Sequence, residues 1–229
     1  MSGSRDGTVK IWDPRMTTNA ASIEASTANA DCWTVCFGNT VNQHDRVVVA
    51  GYDNGDVRLV DLRNMKVRWE TNTKKGVCHV SFDRKDILMN KLSIACLNGS
   101  LSVYDMRTYN DKSGFAGLET NIGKSTLWGC HSLPQDREIM AVTSGSGEIN
   151  LFRYSYPPQR STKGSDGTQV GVAGFLECIG KSDCLTSQPL TSFDWHSCKR
   201  GLFATVSFDQ VITVGICSNT EYSFCSCVR

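Results

Sequence analysis

Eleven cysteines and four histidines are the residues of this chain most able to hold a metal, and their spacing argues against it. No C-x-x-C pair occurs. Cys32 and Cys36 share a face if they lie on a strand, but a rise of about 3.3 Å per residue sets them too far apart for one tetrahedral ion. Cys130 and His131 are adjacent and would point to opposite faces. His196 and Cys198 share a face, and Cys225 and Cys227 fall near the end of the chain. A second pattern, Gly117–Ser125 (GLETNIGKS), ends like a phosphate-binding loop. That motif needs four residues between its glycines, with a strand before and a helix after; here five intervene and an apolar strand pattern follows. No G-x-S-x-G occurs, and His44, His79, His131 and His196 are scattered without a nucleophile tied to them. These patterns assign no catalytic, cofactor-binding or metal-binding residue, and the expectation is a protein that is not an enzyme.

Recognition chemistry is better represented. Asp-x-Arg recurs as Asp13-Pro14-Arg15, Asp61-Leu62-Arg63 and Asp105-Met106-Arg107. Arginine suits interfaces because its planar fork meets a carboxylate in two-point geometry. Arg15, Arg63 and Arg107 are therefore candidate protein-binding residues, arrayed as an arc. The alternative is internal, each arginine pairing with an aspartate of its own or the next repeat. A second candidate is the Gly/Ser/Thr/Pro-rich segment 154–174, with Tyr154, Tyr156 and Arg160 inside it and Arg153 beside it. Aromatics next to arginine resemble interface hot spots, and long loops on rigid scaffolds often hold function.

The elements that would position these residues repeat. SGSRDGTVKIWDPR (Ser2–Arg15) returns as AGYDNGDVRLVDLR (Ala50–Arg63), ACLNGSLSVYDMR (Ala95–Arg107), TSGSGEINLFRY (Thr143–Tyr154) and TVSFDQVITVGI (Thr205–Ile216). The turn glycines Gly7, Gly55, Gly99 and Gly147 and the equivalent Gln210 lie 48, 44, 48 and 63 residues apart. The first three spacings fit one four-stranded propeller blade; an insertion stretches the last. Asp6-Gly7, Asn54-Gly55 and Asn98-Gly99 suit two-residue hairpin turns. Apolar runs at Cys32–Phe37, Val77–Phe82, Leu127–Leu133 and Leu190–Trp195 read as inner strands, and Trp33, Trp69, Trp128 and Trp195 as core or inter-blade packing. No helical period is evident, so the fold is expected to be all-β.

The residues resemble the WD-repeat family. Its naming dipeptide occurs as Trp12-Asp13, and the Asp returns at Asp61 and Asp105. The Gly-His pair usual before the inner strand is absent, so the family's His-centred network is incomplete. Stretches Ala50–Thr71, Phe82–Leu92 and Tyr154–Gly174 are similar, loops included, to WD-repeat proteins of axonemal dynein preassembly. That resemblance runs from Ser2 to about Ile216. It implies seven blades, of which this chain would hold about four and a half: a partial blade at 1–25, blades at 31–72, 75–119 and 123–180 (insertion 154–174), a partial blade at 188–216 and an atypical tail at 217–229. The expectation is an N-terminally shortened chain; the alternative is a genuine five-bladed ring. The resemblance further implies a cytoplasmic adaptor, or co-chaperone, linking axonemal dynein chains to RuvB-like and prefoldin-like machinery. A different reading rests on Trp12–Arg15, which matches the W-D-x-R pattern of WD-repeat substrate receptors of cullin-type ubiquitin ligases.

Composition agrees with a scaffold. Twenty-four basic and 23 acidic residues give a net charge of +1, which recommends neither nucleic acid nor an anionic membrane. No apolar run approaches the roughly 20 residues of a membrane-spanning helix. MSGSRDG is neither a signal nor a transit peptide. An odd cysteine count without a signal peptide points to free thiols in a reducing cytosol.

Overall fold

The computed structural model describes residues 1–25, 30–41, 44–164, 167–182, 184–217 and 224–227. Its architecture is five antiparallel sheets in series. The first holds β1 (Ser2–Gly3), β2 (Val9–Ile11) and β3 (Ala21–Ile23). The second holds β4 (Cys32–Gly38), β5 (Val47–Tyr52), β6 (Asp56–Asp61) and β7 (Lys66–Asn72). The third holds β8 (Val77–Phe82), β9 (Lys91–Cys96), β10 (Ser100–Asn110) and β11 (Gly114–Asn121). The fourth pairs β12 (Leu127–Leu133), β13 (Asp136–Ser144) and β14 (Ile149–Ser155) with β17 (Phe175–Lys181). A separate hairpin, β15 (Ser161–Lys163) and β16 (Gln169–Gly171), lies between β14 and β17. The fifth sheet holds β18 (Leu190–Trp195), β19 (Leu202–Ser207), β20 (Ile212–Cys217) and β21 (Phe224–Cys227). Inner strands β4, β8, β12 and β18 touch in sequence. This is an incomplete WD-repeat β-propeller, as the spacing predicts.

Each repeat turns on a residue with positive φ. At Gly99 φ is +85°, and a Cβ would come within 2.1 Å of the Gly123 carbonyl oxygen, so glycine is required twice over. Gln210 takes the same turn at φ +65° and donates the same backbone bond, to Ser207 O at 3.2 Å. The fifth repeat therefore keeps the turn geometry although its sequence loses the glycine.

The core is a stack of inter-sheet layers. Val9 and Ile23 pack with Val48, Tyr52 and Val60 between the first two sheets. Val49, Val57 and Leu59 meet Val80, Leu92 and Ile94 between the second and third. Leu101 and Val103 meet Leu127, Met140 and Phe152, and Ile149 and Leu151 meet Phe193, Trp195 and Phe203. An inner sheet is covered on both faces, which is why β5 and β9 are buried at every residue. By contrast β19 and β20 alternate buried and exposed. Their outer face shows Val206, Ile212, Val214 and Ile216 to solvent. Ile212 is 61% exposed while Leu101, at the same repeat position, is 0% exposed.

The fifth sheet is wider than its sequence suggests. Strand β21 pairs with β20, Cys227 opposite Val214, where the apolar pattern ends at 216. No periodicity in NTEYSFCSCVR announces that strand. Residues 218–223 and 228–229 of the tail lie outside the described residues.

Candidate functional site

The three Asp-x-Arg copies lie on or just past β2, β6 and β10 of consecutive sheets, and two of them are closed on themselves. Asp61 accepts the backbone N–H of Arg63 at 2.9 Å and its guanidinium at 3.0 Å from Nε and 2.5 Å from Nη2. That pairing holds the Asp61 carboxyl down at about 2. Arg63 also lies 3.4 Å from Asp45. Asp13 grips Arg15 in the same fork, at 2.9 Å from Nε and 2.6 Å from Nη2, and its pKa is lowered for the same reason. The internal alternative thus describes Arg15 and Arg63, although both guanidiniums remain largely exposed.

The third copy differs. Asp105 is fully buried, and its Oδ1 accepts the backbone N–H of Arg107 at 3.0 Å. The guanidinium facing its other oxygen belongs to Arg160, whose Nε stands 3.4 Å away. Arg160 comes from the insertion of the next sheet. Its Nη2 also donates to Asn90 Oδ1 at 3.1 Å, and its guanidinium lies 4.1 Å from the centre of the Tyr156 ring. The Tyr156 hydroxyl in turn accepts from Lys91 Nζ at 2.6 Å and Asn90 Nδ2 at 2.5 Å. Lys91 reaches Asp83 Oδ2 at 3.2 Å, and both of those side chains are entirely buried. A buried ammonium and carboxylate persist only when paired and hydrogen-bonded, and here they are.

The hairpin continues the contact. Asn110 Nδ2 donates to Gln169 O at 2.5 Å. A Cβ at Gly171 would meet Thr108 and Ala116 at 2.7 and 2.8 Å, so β16 lies directly on β10 and β11. The segment 154–174 is therefore a brace from the fourth sheet to the third. This corrects the hot-spot expectation for Tyr154, which is 1% exposed, with its hydroxyl accepting the Gly174 N–H at 3.0 Å. Tyr156 and Arg160 likewise direct their polar groups inward. Arg153 faces Glu177 at 4.0 Å on the neighbouring strand.

Inner strands β8 and β12 each carry a histidine, whereas His44 and His196 lie outside the strands. His79 and His131 rings lie 4.8 Å apart. Burial lowers His79 to about 4, and burial with the neighbouring imidazole lowers His131 to about 3. His79 Nδ1 accepts the Cys130 N–H at 3.3 Å. Burial pushes the Cys130 thiol up to about 12, which makes it a packing residue rather than a nucleophile. A cavity of about 720 Å³ opens along these strands beside Asp83, Arg84, Asp86 and Asp194. Among the described residues no three His, Cys, Asp or Glu side chains converge to hold a metal.

Trp195 is buried, and Trp69 packs edge-on against Tyr104 and Phe115 at 5.0 and 5.3 Å, as expected of inter-blade residues. Trp33 and Trp128 are not core: they are 48% and 37% exposed. Sequence reasoning also missed Asp83, Asn90 and Lys91 as a polar centre. The signal was available in Lys91, a lysine set among Leu88, Met89, Leu92 and Ile94.

No protein-family model matches the chain. It is 51% identical over 217 residues to dynein axonemal assembly factor 10 of Xenopus laevis, across 93% of this chain and 60% of that protein. It is 50% identical over 218 residues to the Homo sapiens protein of that name and 47% over 216 residues to that of Chlamydomonas reinhardtii, with the same coverage. The chain thus spans about 60% of the length of these curated relatives. Two solved structures share its fold. One, from the mitotic checkpoint complex, has a TM-score of 0.70 at 15% identity over 99% of this chain and 61% of its own. The other, the Myceliophteria thermophila Cps50 (Swd1) beta-propeller domain, has a TM-score of 0.68 at 14% identity over 95% of this chain and 62% of its own. The resemblance read from the residues, to the relative also called Monad, agrees with these findings.

Proposed function

We propose that this chain is part of a non-catalytic protein-interaction scaffold that acts in axonemal dynein assembly. The observation that carries the reading is identity of 47 to 51% to vertebrate and algal dynein axonemal assembly factor 10, over 93% of this chain. The physics is compatible with it. A stack of blades braced by a buried polar network presents rigid faces, and its buried ionisable groups Asp83 and Lys91 are turned to structure.

The finer reading is a cytoplasmic adaptor that brings newly made axonemal dynein chains to RuvB-like and prefoldin-like co-chaperones. The arginine side contributes through Arg15, Arg63 and Arg107, with Arg153 at its margin. The test is affinity capture of the tagged chain from the cytosol of ciliating cells, read by mass spectrometry. Enrichment of axonemal dynein heavy chains with RuvB-like ATPases is the expected outcome. Enrichment of a cullin adaptor without dynein, lost on Arg63→Glu and Arg107→Glu, would overturn it in favour of a ubiquitin-ligase receptor.

A further inference from the structure

The ladder between β10 and β11 breaks near its turn, and the break opens a cleft on the outer rim. Asp105 pairs with Ala116 and the next pair is Asn110 with Gly114, so residues 106–109 of β10 stand opposite Phe115 alone. An irregularity of this kind re-aims side chains. Tyr109 is turned outward, 49% exposed, with its ring 5.1 Å from that of Phe115. Across the cleft lies β7 of the second sheet, whose Trp69 meets Tyr104 and Phe115 edge-on. These four rings line a cavity of about 380 Å³. Pockets that hold small ligands or single side chains begin at roughly 300 Å³.

Two polar groups of these rings are unused. Among the described residues neither the Trp69 indole N–H nor the Tyr109 hydroxyl has a hydrogen-bond partner. The Tyr104 hydroxyl, by contrast, is held by Thr71. The indole nitrogen lies beside Gly114, where a Cβ would come within 2.7 Å of Trp69 Nε1. Gly114 has φ +71°, so the turn itself favours glycine, and any side chain there would cover the indole N–H. An aromatic pair with a free N–H and a free hydroxyl, one apolar side and one wet, is the usual make-up of a binding site.

Hydrogen bonding and charge select the occupant. The free N–H beside an open ring asks for an acceptor next to an apolar face. The charged residues of the lining leave little net charge: Glu70 is held by Arg58 at 3.4 Å, and Asp111 and Lys112 are of opposite sign. A cation would suit the rings, but it would face the indole donor with no excess of carboxylate to hold it. A polyproline II segment meets each condition. It is uncharged, its carbonyls make no internal hydrogen bond, and its pyrrolidine rings pack on aromatic faces. We infer that this cleft binds a proline-rich extended segment of a partner protein, with a proline ring against Tyr109 and a backbone carbonyl on the Trp69 N–H. This extends the scaffold reading, rests on it only in taking a polypeptide as occupant, and is tested with no dynein present.

The probe is a blocked dodecaproline peptide titrated into the full isotope-labelled chain, followed by calorimetry and by the indole N–H resonance that W69F removes. A glycine–serine peptide of the same length, and that peptide carrying a single trimethyl-lysine, serve as the other arms. The expected result is binding of the proline peptide alone, with movement of the Trp69 resonance. W69F keeps a ring in place without its donor and should weaken binding about 3- to 10-fold, the effect of one lost hydrogen bond. Y109S should weaken it by a similar factor, and because Tyr109 is exposed this variant guards against misfolding of the first. A Trp69 resonance that stays still at saturating peptide, equal binding of the glycine–serine peptide, preference for the trimethyl-lysine peptide, or indifference to both variants would overturn the inference.

Discussion

Burial decides what single ionisable side chains do in this protein. His79 and His131 sit neutral between inner strands, and His79 Nδ1 must stay unprotonated to accept the Cys130 N–H. The unfolded imidazoles bind protons below about pH 6.5. The folded ones do not until about 4 and about 3. The unfolded state therefore takes up more protons as pH falls through that window, and stability declines with it. Urea midpoints should fall between pH 7.5 and pH 5, and His79→Gln with His131→Gln should flatten that slope; an unchanged slope would remove the histidines from the account. The Asp83–Lys91 pair makes a second demand. Asp83→Asn strands a buried ammonium and should cost about 3–5 kcal/mol, whereas Asp83→Leu with Lys91→Met should restore most of it. A loss under about 1 kcal/mol for Asp83→Asn would mean the pair is not desolvated as described. Little of this was legible beforehand. A histidine in an apolar strand is visible in the sequence, but its neighbour 52 positions away is not, because blade contacts are set by ring geometry rather than local pattern.

Elements were legible to the degree that they repeat. The turn glycines, with Gln210 in the same place in the fifth repeat, and the alternating residues beyond them locate β2, β6, β10, β14 and β20, since hairpin turns and strand periods are local properties. The brace was not legible as a brace. Tyr156, Arg160 and Gly171 read as a polar, adaptable loop until Asp105, Asn90, Lys91 and Thr108 of the previous sheet are placed against them. Among the described residues hairpin β15–β16 rests on β10 and β11 through β16, so its docking should depend on that contact. Arg160→Ala should speed amide exchange across 161–171 and at 108–116 while leaving the Tyr154 core protected. Uniform exchange throughout would show that the hairpin holds by itself and that the brace is incidental. The bulges at Trp33 and Trp128 escaped notice for a related reason: Cys32–Gly38 reads as an uninterrupted strand, and only pairing with β5 exposes the slipped residue.

At the scale of the whole molecule, stability is a sum over inter-sheet layers, so the same repeat position carries different energies along the stack. Leu101→Thr and Val103→Thr enter a closed layer and should each cost about 2 kcal/mol or more. Ile212→Thr and Val214→Thr lie on the uncovered face, and should change stability by less than about 0.5 kcal/mol while raising solubility. Equal costs in the two sheets would mean that the fifth sheet is covered in solution. The central claim concerns what such a stack of blades is for, and one measurement reaches it most directly. In Chlamydomonas reinhardtii cells lacking their own dynein axonemal assembly factor 10, the matching stretch of that protein is replaced by this chain, and axonemal dynein heavy chains are quantified in isolated axonemes. The account predicts that the chimera restores them. A chimera that accumulates as folded protein while the axonemes stay depleted would contradict it.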